Sequence, residues 1–197
     1  MRVLVLIFLC TIHAQRADAG GAFLPPLELE YGAIGFANRD RPPERATQLL
    51  VGISWASLQP KPTRFDASVG ILATFAISER PPALARGATT ESTTVGAAGA
   101  FLDMAVRIHQ RRHVRAWVGG RVELLGNNGR NVLGSAARTS IELWRPAVVK
   151  MGRGGGIMGA LAVSLWTEVG LRERTDRPAS PTFAAGLGVR LPFFIAY

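Results

Sequence analysis

The chain has 197 residues, a net charge of +9 and an isoelectric point near 11.3, with 48% hydrophobic and 19% charged residues. That is too apolar for a disordered chain and long enough for one domain with its own core. The positive charge is scattered over predicted turns and strands, not gathered into a stripe with aromatic partners, so nucleic acid is not the expected partner. Anionic lipid or lipopolysaccharide is the other counterpart of a basic protein.

Residues 1–19 read as a secretory signal peptide. Arg2 supplies the positive start, residues 3–12 a short apolar run, and Ala17-Asp18-Ala19 an A-x-A cleavage site. The run is too short to span a bilayer as a helix; a buried N-terminal strand is the alternative. Cleavage after Ala19 leaves a domain over residues 20–197, and loss of two arginines and one aspartate lowers the charge from +9 to +8. The only cysteine, Cys10, goes with the signal, so a disulfide or a thiolate metal site is not expected. Leu9 before Cys10 speaks against lipidation.

After residue 19 no stretch is apolar for long enough to cross a membrane as a helix. What recurs is alternation, the period of a strand. Segment 27–37 carries Leu27, Leu29 and Tyr31 on one face and Ile34 and Phe36 on the other. Segment 49–56 alternates Leu49, Val51, Ile53 and Trp55 with Leu50, Gly52, Ser54 and Ala56. Segment 64–77 alternates apolar residues from Phe65 to Ile77 with Arg64, Asp66, Ser68, Gly70, Leu72 and Thr74. Segments 102–109, 114–124, 137–144 and 157–172 do the same, and 183–197 ends the chain with one greasy face from Phe183 to Tyr197. Residues 100–112 and 159–171 also admit an amphipathic-helix reading, but alternation matches more positions.

Eight such segments, each about ten residues long, have the length a tilted strand needs to cross hydrocarbon. The expected fold is all-β: a closed, eight-stranded, antiparallel, up-and-down transmembrane β-barrel. Closure is required because backbone groups in lipid must pair within the protein. A soluble β-sandwich or ligand-binding barrel is the alternative fold, since it alternates too. Breakers fill the gaps, and connections three (79–93) and seven (172–181) read as longer than two (59–63) and four (110–113), as outer loops exceed inner turns. Connection six (146–156) departs from that trend.

The face expected to point inward carries Asp66, Asp103, Arg107, Arg121, Glu123, Arg138, Glu142, Glu168 and Arg190. Buried charges must be paired. Folding back at residues 110–113 sets His109 opposite Arg115 and Asp103 opposite Arg121, and a similar fold-back brings Glu123 to Arg138. The interior is therefore expected to be a plug of ion pairs. Trp117, Trp144 and Trp166 fall on the same face as filler or as the lining of a small apolar site. Tyr31, Trp55, Phe65, Phe75, Phe193 and Tyr197 are candidates for aromatic girdles.

Other motifs are weak. Gly154-x-Gly156-x-x-Gly159 matches a dinucleotide fingerprint in form, with Glu173 about 20 residues on, but the fingerprint needs a parallel βαβ unit, and a glycine turn is expected. His109 and His113 lack a third ligand nearby, so neither metal nor cofactor is expected. No histidine has a serine two residues on.

The segment 183–197, with Val189, Leu191, Phe193, Ile195 and Tyr197 on one face and an aromatic at the end, resembles the C-terminal assembly signature of bacterial outer-membrane proteins. With the signal and the eight segments, the chain resembles the small eight-stranded outer-membrane barrels of the outer-membrane protein A, X and W group. Members usually end in phenylalanine, where this chain has Tyr197. The resemblance implies an outer-membrane location, contact with lipid and lipopolysaccharide, and recognition of those five residues by the barrel-assembly machinery. It implies no single activity. A non-enzymatic structural or surface-interaction role is expected, with a narrow channel or a lipid-modifying enzyme as alternatives.

Overall fold

The computed structural model describes residues 22–37, 44–59, 61–76, 96–127, 130–152, 154–174 and 177–196. In chain order the strands are β1 (Ala22–Leu24), β2 (Leu27–Phe36), β3 (Glu44–Ser54), β4 (Phe65–Ala76), β5 (Ala97–Arg111), β6 (Val114–Asn127), β7 (Arg130–Pro146), β8 (Val149–Lys150), β9 (Gly155–Met158), β10 (Ala160–Arg174), β11 (Arg177–Leu191) and β12 (Phe193–Ala196). One helical turn, α1 (Trp55–Leu58), follows β3. The segment expected to be a signal peptide, Tyr197 and connection three lie outside the described residues.

Eight strands close a barrel in the order β10-β11-β2-β3-β4-β5-β6-β7, and every neighbouring pair is antiparallel. The chain is thus an all-β, up-and-down barrel, and both segments with a helical alternative are strands. Inward residues pair in sequence around the wall: Phe36, Thr182, Gly170, Ala136, Arg121, Asp103, Ser68, Ser54. Ser54 falls opposite position 26 of the starting chain, a stagger of ten residues in one circuit. For eight strands that stagger sets a tilt of about 43°. The interior is then just wide enough to be filled by side chains.

Two interior aromatics rest on glycines. A Cβ at Gly32 or Gly186 would come within 2.5 Å of the Trp166 indole, and one at Gly52 or Gly70 within 2.9 Å of the Phe101 ring. The glycines give these rings the room they occupy.

The outline of the elements differs from the alternation in several places. The third segment's predecessor ends early: Trp55 and Ala56 leave the wall in α1, where the Ala56 N–H and Ser54 Oγ both donate to Asp66 Oδ1, at 3.0 and 2.8 Å. The seventh segment breaks at Gly159, whose φ of 122° suits only glycine, so Ile157 and Met158 belong to β9 and not to the wall. The last segment breaks at Pro192, which puts Phe193 and Ile195 in β12.

These pieces form a second, four-stranded sheet in the order β1-β12-β9-β8. It is built from both ends of the chain and the connection between β7 and β10, which explains why connection six is long. It stands at the end of the barrel where the chain enters and leaves, called the near end below. Connection seven, expected to be long, is tight: Arg174 pairs with Arg177 across it. The near end therefore carries more of the structured connections than the reverse.

Candidate functional site

Among the described residues, the interior gathers most of the paired charges. The structure sets all nine predicted charges on the inward side: Asp66, Arg121, Glu123, Glu142 and Glu168 are buried, and Asp103, Arg107, Arg138 and Arg190 are nearly so. Four more join them: Glu28, Glu30, Arg115 and Arg172. Glu28 and Glu30 share a face with Gly32, Ile34 and Phe36, all buried. The parity of β2 is unbroken. Its inner face turns from acidic to apolar along its length, and that change hides the two glutamates from a search for polar alternation.

Arg190 is the hub of the tier nearest the chain ends. Its Nε donates to Glu28 Oε1 (2.8 Å), its Nη2 lies 2.5 Å from Asp66 Oδ2, and its Nη1 donates to Glu142 Oε1 (3.3 Å). The other Glu142 oxygen accepts from Trp117 Nε1 (2.7 Å). It also lies 2.9 Å from Arg115 Nε, which is not aligned to donate. The Arg115 guanidinium stacks on Trp144, 4.4 Å from the ring centre. Such stacking offsets part of the cost of burying the cation.

Arg121 is the hub of the middle tier. It grips Asp103 through Nε and Nη2, each 2.8 Å from an oxygen, and reaches Glu168 (3.0 Å) and Glu30 (3.3 Å). Arg138 donates to Asp103 (3.1 Å) and to Glu30, and stacks on Trp166 at 4.9 Å. Gln48 Nε2 donates to the second Glu168 oxygen at 3.1 Å. The forked, bidentate contact to Asp103 is the strongest type of charge-assisted pair.

Toward the opposite end charge thins to one pair, Arg172 Nε to Glu123 Oε2 at 2.7 Å. Around it the interior is apolar, with Leu50, Leu72, Ala97, Phe101, Leu125 and Val132 in one cluster.

The register corrects two predicted pairings. Asp103 does face Arg121, but a bulge between Arg107 and His109 sets His109 opposite Ala116 and Gln110 opposite Arg115. Glu123 does not meet Arg138. The β6–β7 hairpin closes tightly, with Asn127 opposite Arg130, so Glu123 pairs with Gly134 in register and with Arg172 by charge. Arg107 points inward, but its Nη1 has no hydrogen-bond partner among the described residues.

The three interior tryptophans are 1–7% exposed and packed against guanidinium groups, as core filler is. A cavity of about 30 Å³, lined in part by Glu28, Glu30, Ser140 and Ser164, lies between the two ionic tiers. That is room for one or two waters. Of the expected girdle, Phe65 and Phe75 lie at strand ends, Trp55 is in α1, Phe193 is in β12, and Tyr31 is mid-strand. Gly156 is in β9, and Gly154 and Gly159 flank it within an antiparallel arrangement, not a βαβ unit. His109 and His113 are exposed at the near end, and no group of three His, Cys, Asp or Glu suited to a metal occurs among the described residues.

No protein-family model matches this chain, and no curated protein matches it in sequence. The closed barrel and its paired interior are therefore what any reading of function has to stand on.

Proposed function

We propose that this protein is an exported transmembrane β-barrel of a bacterial outer membrane, with a structural or surface-interaction role, a plugged lumen and no catalytic activity. The observation that carries this reading is the inverted polarity of the wall. Twenty-seven large apolar side chains on the eight barrel strands point outward and are exposed, among them Ile71 at 66%, Leu187 at 62% and Phe183 at 61%. Thirteen charged side chains point inward. A soluble sandwich or barrel has the opposite arrangement, because apolar patches beyond a few hundred Å² are unfavourable in water. In lipid the same surface is solvated and the closed ladder leaves no strand edge to pay a desolvation cost.

Dimensions agree. Ten residues at the tilt set by the stagger span about 24 Å, against an apolar band of about 25 Å in such barrels. On this reading the lipopolysaccharide leaflet faces the end away from the chain termini, and Val189, Leu191, Phe193, Ile195 and Tyr197 are recognised during assembly. Val189 and Leu191 are on the wall, and Phe193 and Ile195 are on β12.

The test is heat modifiability with envelope fractionation. The expected result is recovery in the outer-membrane fraction and a shift in gel mobility on boiling. Recovery as a soluble protein with no shift overturns the membrane reading.

A further inference from the structure

Charge is distributed unequally between the two ends of the barrel. Among the residues whose side chains are described there are eight carboxylates: seven in the interior, and Glu173 at the end away from the chain termini. None stands on the outside of the near end. That rim instead exposes six cations: Lys61 and Arg64 after α1, Arg111 and Arg112 at the β5–β6 turn, Arg145 at the end of β7, and Lys150 on β8. They come from three successive connections, β3–β4, β5–β6 and β7–β10, and so follow the perimeter of the barrel. A protein or nucleic-acid site would gather them on one side.

Apolar groups accompany them. Trp55 is 54% exposed and belongs to the same connection as Lys61 and Arg64. Phe65 and Ile108 stand outward on β4 and β5 where the wall ends. The four-stranded sheet is largely apolar on both faces: its pairing puts Phe23, Ile195, Phe193 and Met158 on one, with Lys150 at the edge, and Leu24, Phe194, Ile157 and Val149 on the other. Leu24 is 61% exposed and Val149 51%. A sheet in water has at least one polar face. Here the charge on the paired faces is limited to Lys150 at the edge, and the sheet continues a wall whose own outward face is apolar.

Guanidinium and ammonium groups around a perimeter, an indole among them, and an apolar platform just inside make up the chemistry of a lipid headgroup layer. We infer that the near-end rim is a binding surface for anionic phospholipid, with headgroup phosphates held by Lys61, Arg64, Arg111, Arg112, Arg145 and Lys150, and the upper acyl chain by Trp55 and the four-stranded sheet. The inference rests on the membrane reading and adds a lipid class and a leaflet to it.

The chain supplies its own reporter. Of four tryptophans, Trp117, Trp144 and Trp166 are buried in the interior, which leaves Trp55 as the one that faces lipid. The protein is reconstituted in phosphatidylcholine bilayers containing a minor fraction of acyl-brominated lipid, either phosphatidylglycerol or phosphatidylcholine, and tryptophan quenching is compared. Brominated phosphatidylglycerol is expected to quench about twofold more, because each cation near the surface favours an anionic lipid. The excess is expected to fall as salt is raised, and to vanish in a variant with all six cations changed to Gln. Trp55→Phe removes the quenchable signal and checks its source. Heat modifiability is read on the same samples. Equal quenching by the two lipids in samples that shift on boiling overturns the anionic rim and leaves the membrane barrel standing. No shift and no quenching by either lipid overturns the membrane reading, and the rim falls with it.

Discussion

The two halves of the interior solve the same packing problem in different ways. Near the chain ends and in the middle, Arg190 and Arg121 each hold three carboxylates. Toward the other end, one Arg172–Glu123 pair sits beside a cluster of Leu, Phe and Val. Each hub is shared by three buried anions. The isolated pair is a local contact whose desolvation cost is close to its attraction. A buried ion pair is weak evidence for stability, but a shared ion in a network has consequences for every partner.

Three substitutions sharpen that contrast. The largest effect is expected for Arg121→Met, which leaves Glu30, Asp103 and Glu168 without their common cation. Stability should fall by about 3–5 kcal/mol, the range for breaking a buried pair from one side. It would be read as a lower denaturant midpoint of the heat-shifting band in detergent or vesicles. A midpoint equal to wild type would mean that Arg138 and rearranged partners suffice, and that the middle tier is not organised by Arg121. A smaller loss, near the lower end of that range at about 3 kcal/mol, is expected for Arg172→Met, where one carboxylate, Glu123, loses its cation. The smallest effect is expected for the double change Glu123→Met with Arg172→Met. It should recover most of the loss and come within about 1 kcal/mol of wild type, because apolar residues of similar volume often replace an isolated buried pair at no cost. If the double variant is as unstable as Arg121→Met, the two halves are not different in kind.

Much of the fold was legible because the period of two along each strand is kept over most of its length. All eight segments became barrel strands, and all nine inward charges carried the parity that strand period assigns. What alternation cannot report is where a strand leaves the wall. Gly159 stands just before barrel strand β10 and Pro192 just after β11, each inside a stretch whose apolar pattern runs on, because β9 and β12 are strands as well. Nor can parity give partners. The Asp103–Arg121 contact followed from a tight turn, yet one bulge beside His109 was enough to displace the neighbouring pair. Glu28 and Glu30 were hidden for a different reason, since Ile34 and Phe36 on the same face resemble an outer face when read from composition alone. Long-range contacts such as Arg190 to Glu28 join residues 162 apart and leave no local trace in the chain.

Strands β1 and β12 hydrogen-bond to one another, so Ala22 lies opposite Ala196 in register and the two ends of the described chain meet. The order of the strands around the barrel therefore does not depend on where the polypeptide is cut. A covalent splice between these neighbours, with new termini opened at the tight β6–β7 hairpin, preserves every pairing in the wall and changes only the sequence in which the strands are made. Closure of the ring would then be completed between β6 and β7, whose residues are near in the natural chain, while β11 and β2 would become a local hairpin. The topology is a cycle, and the natural termini are one of several places at which it can be opened.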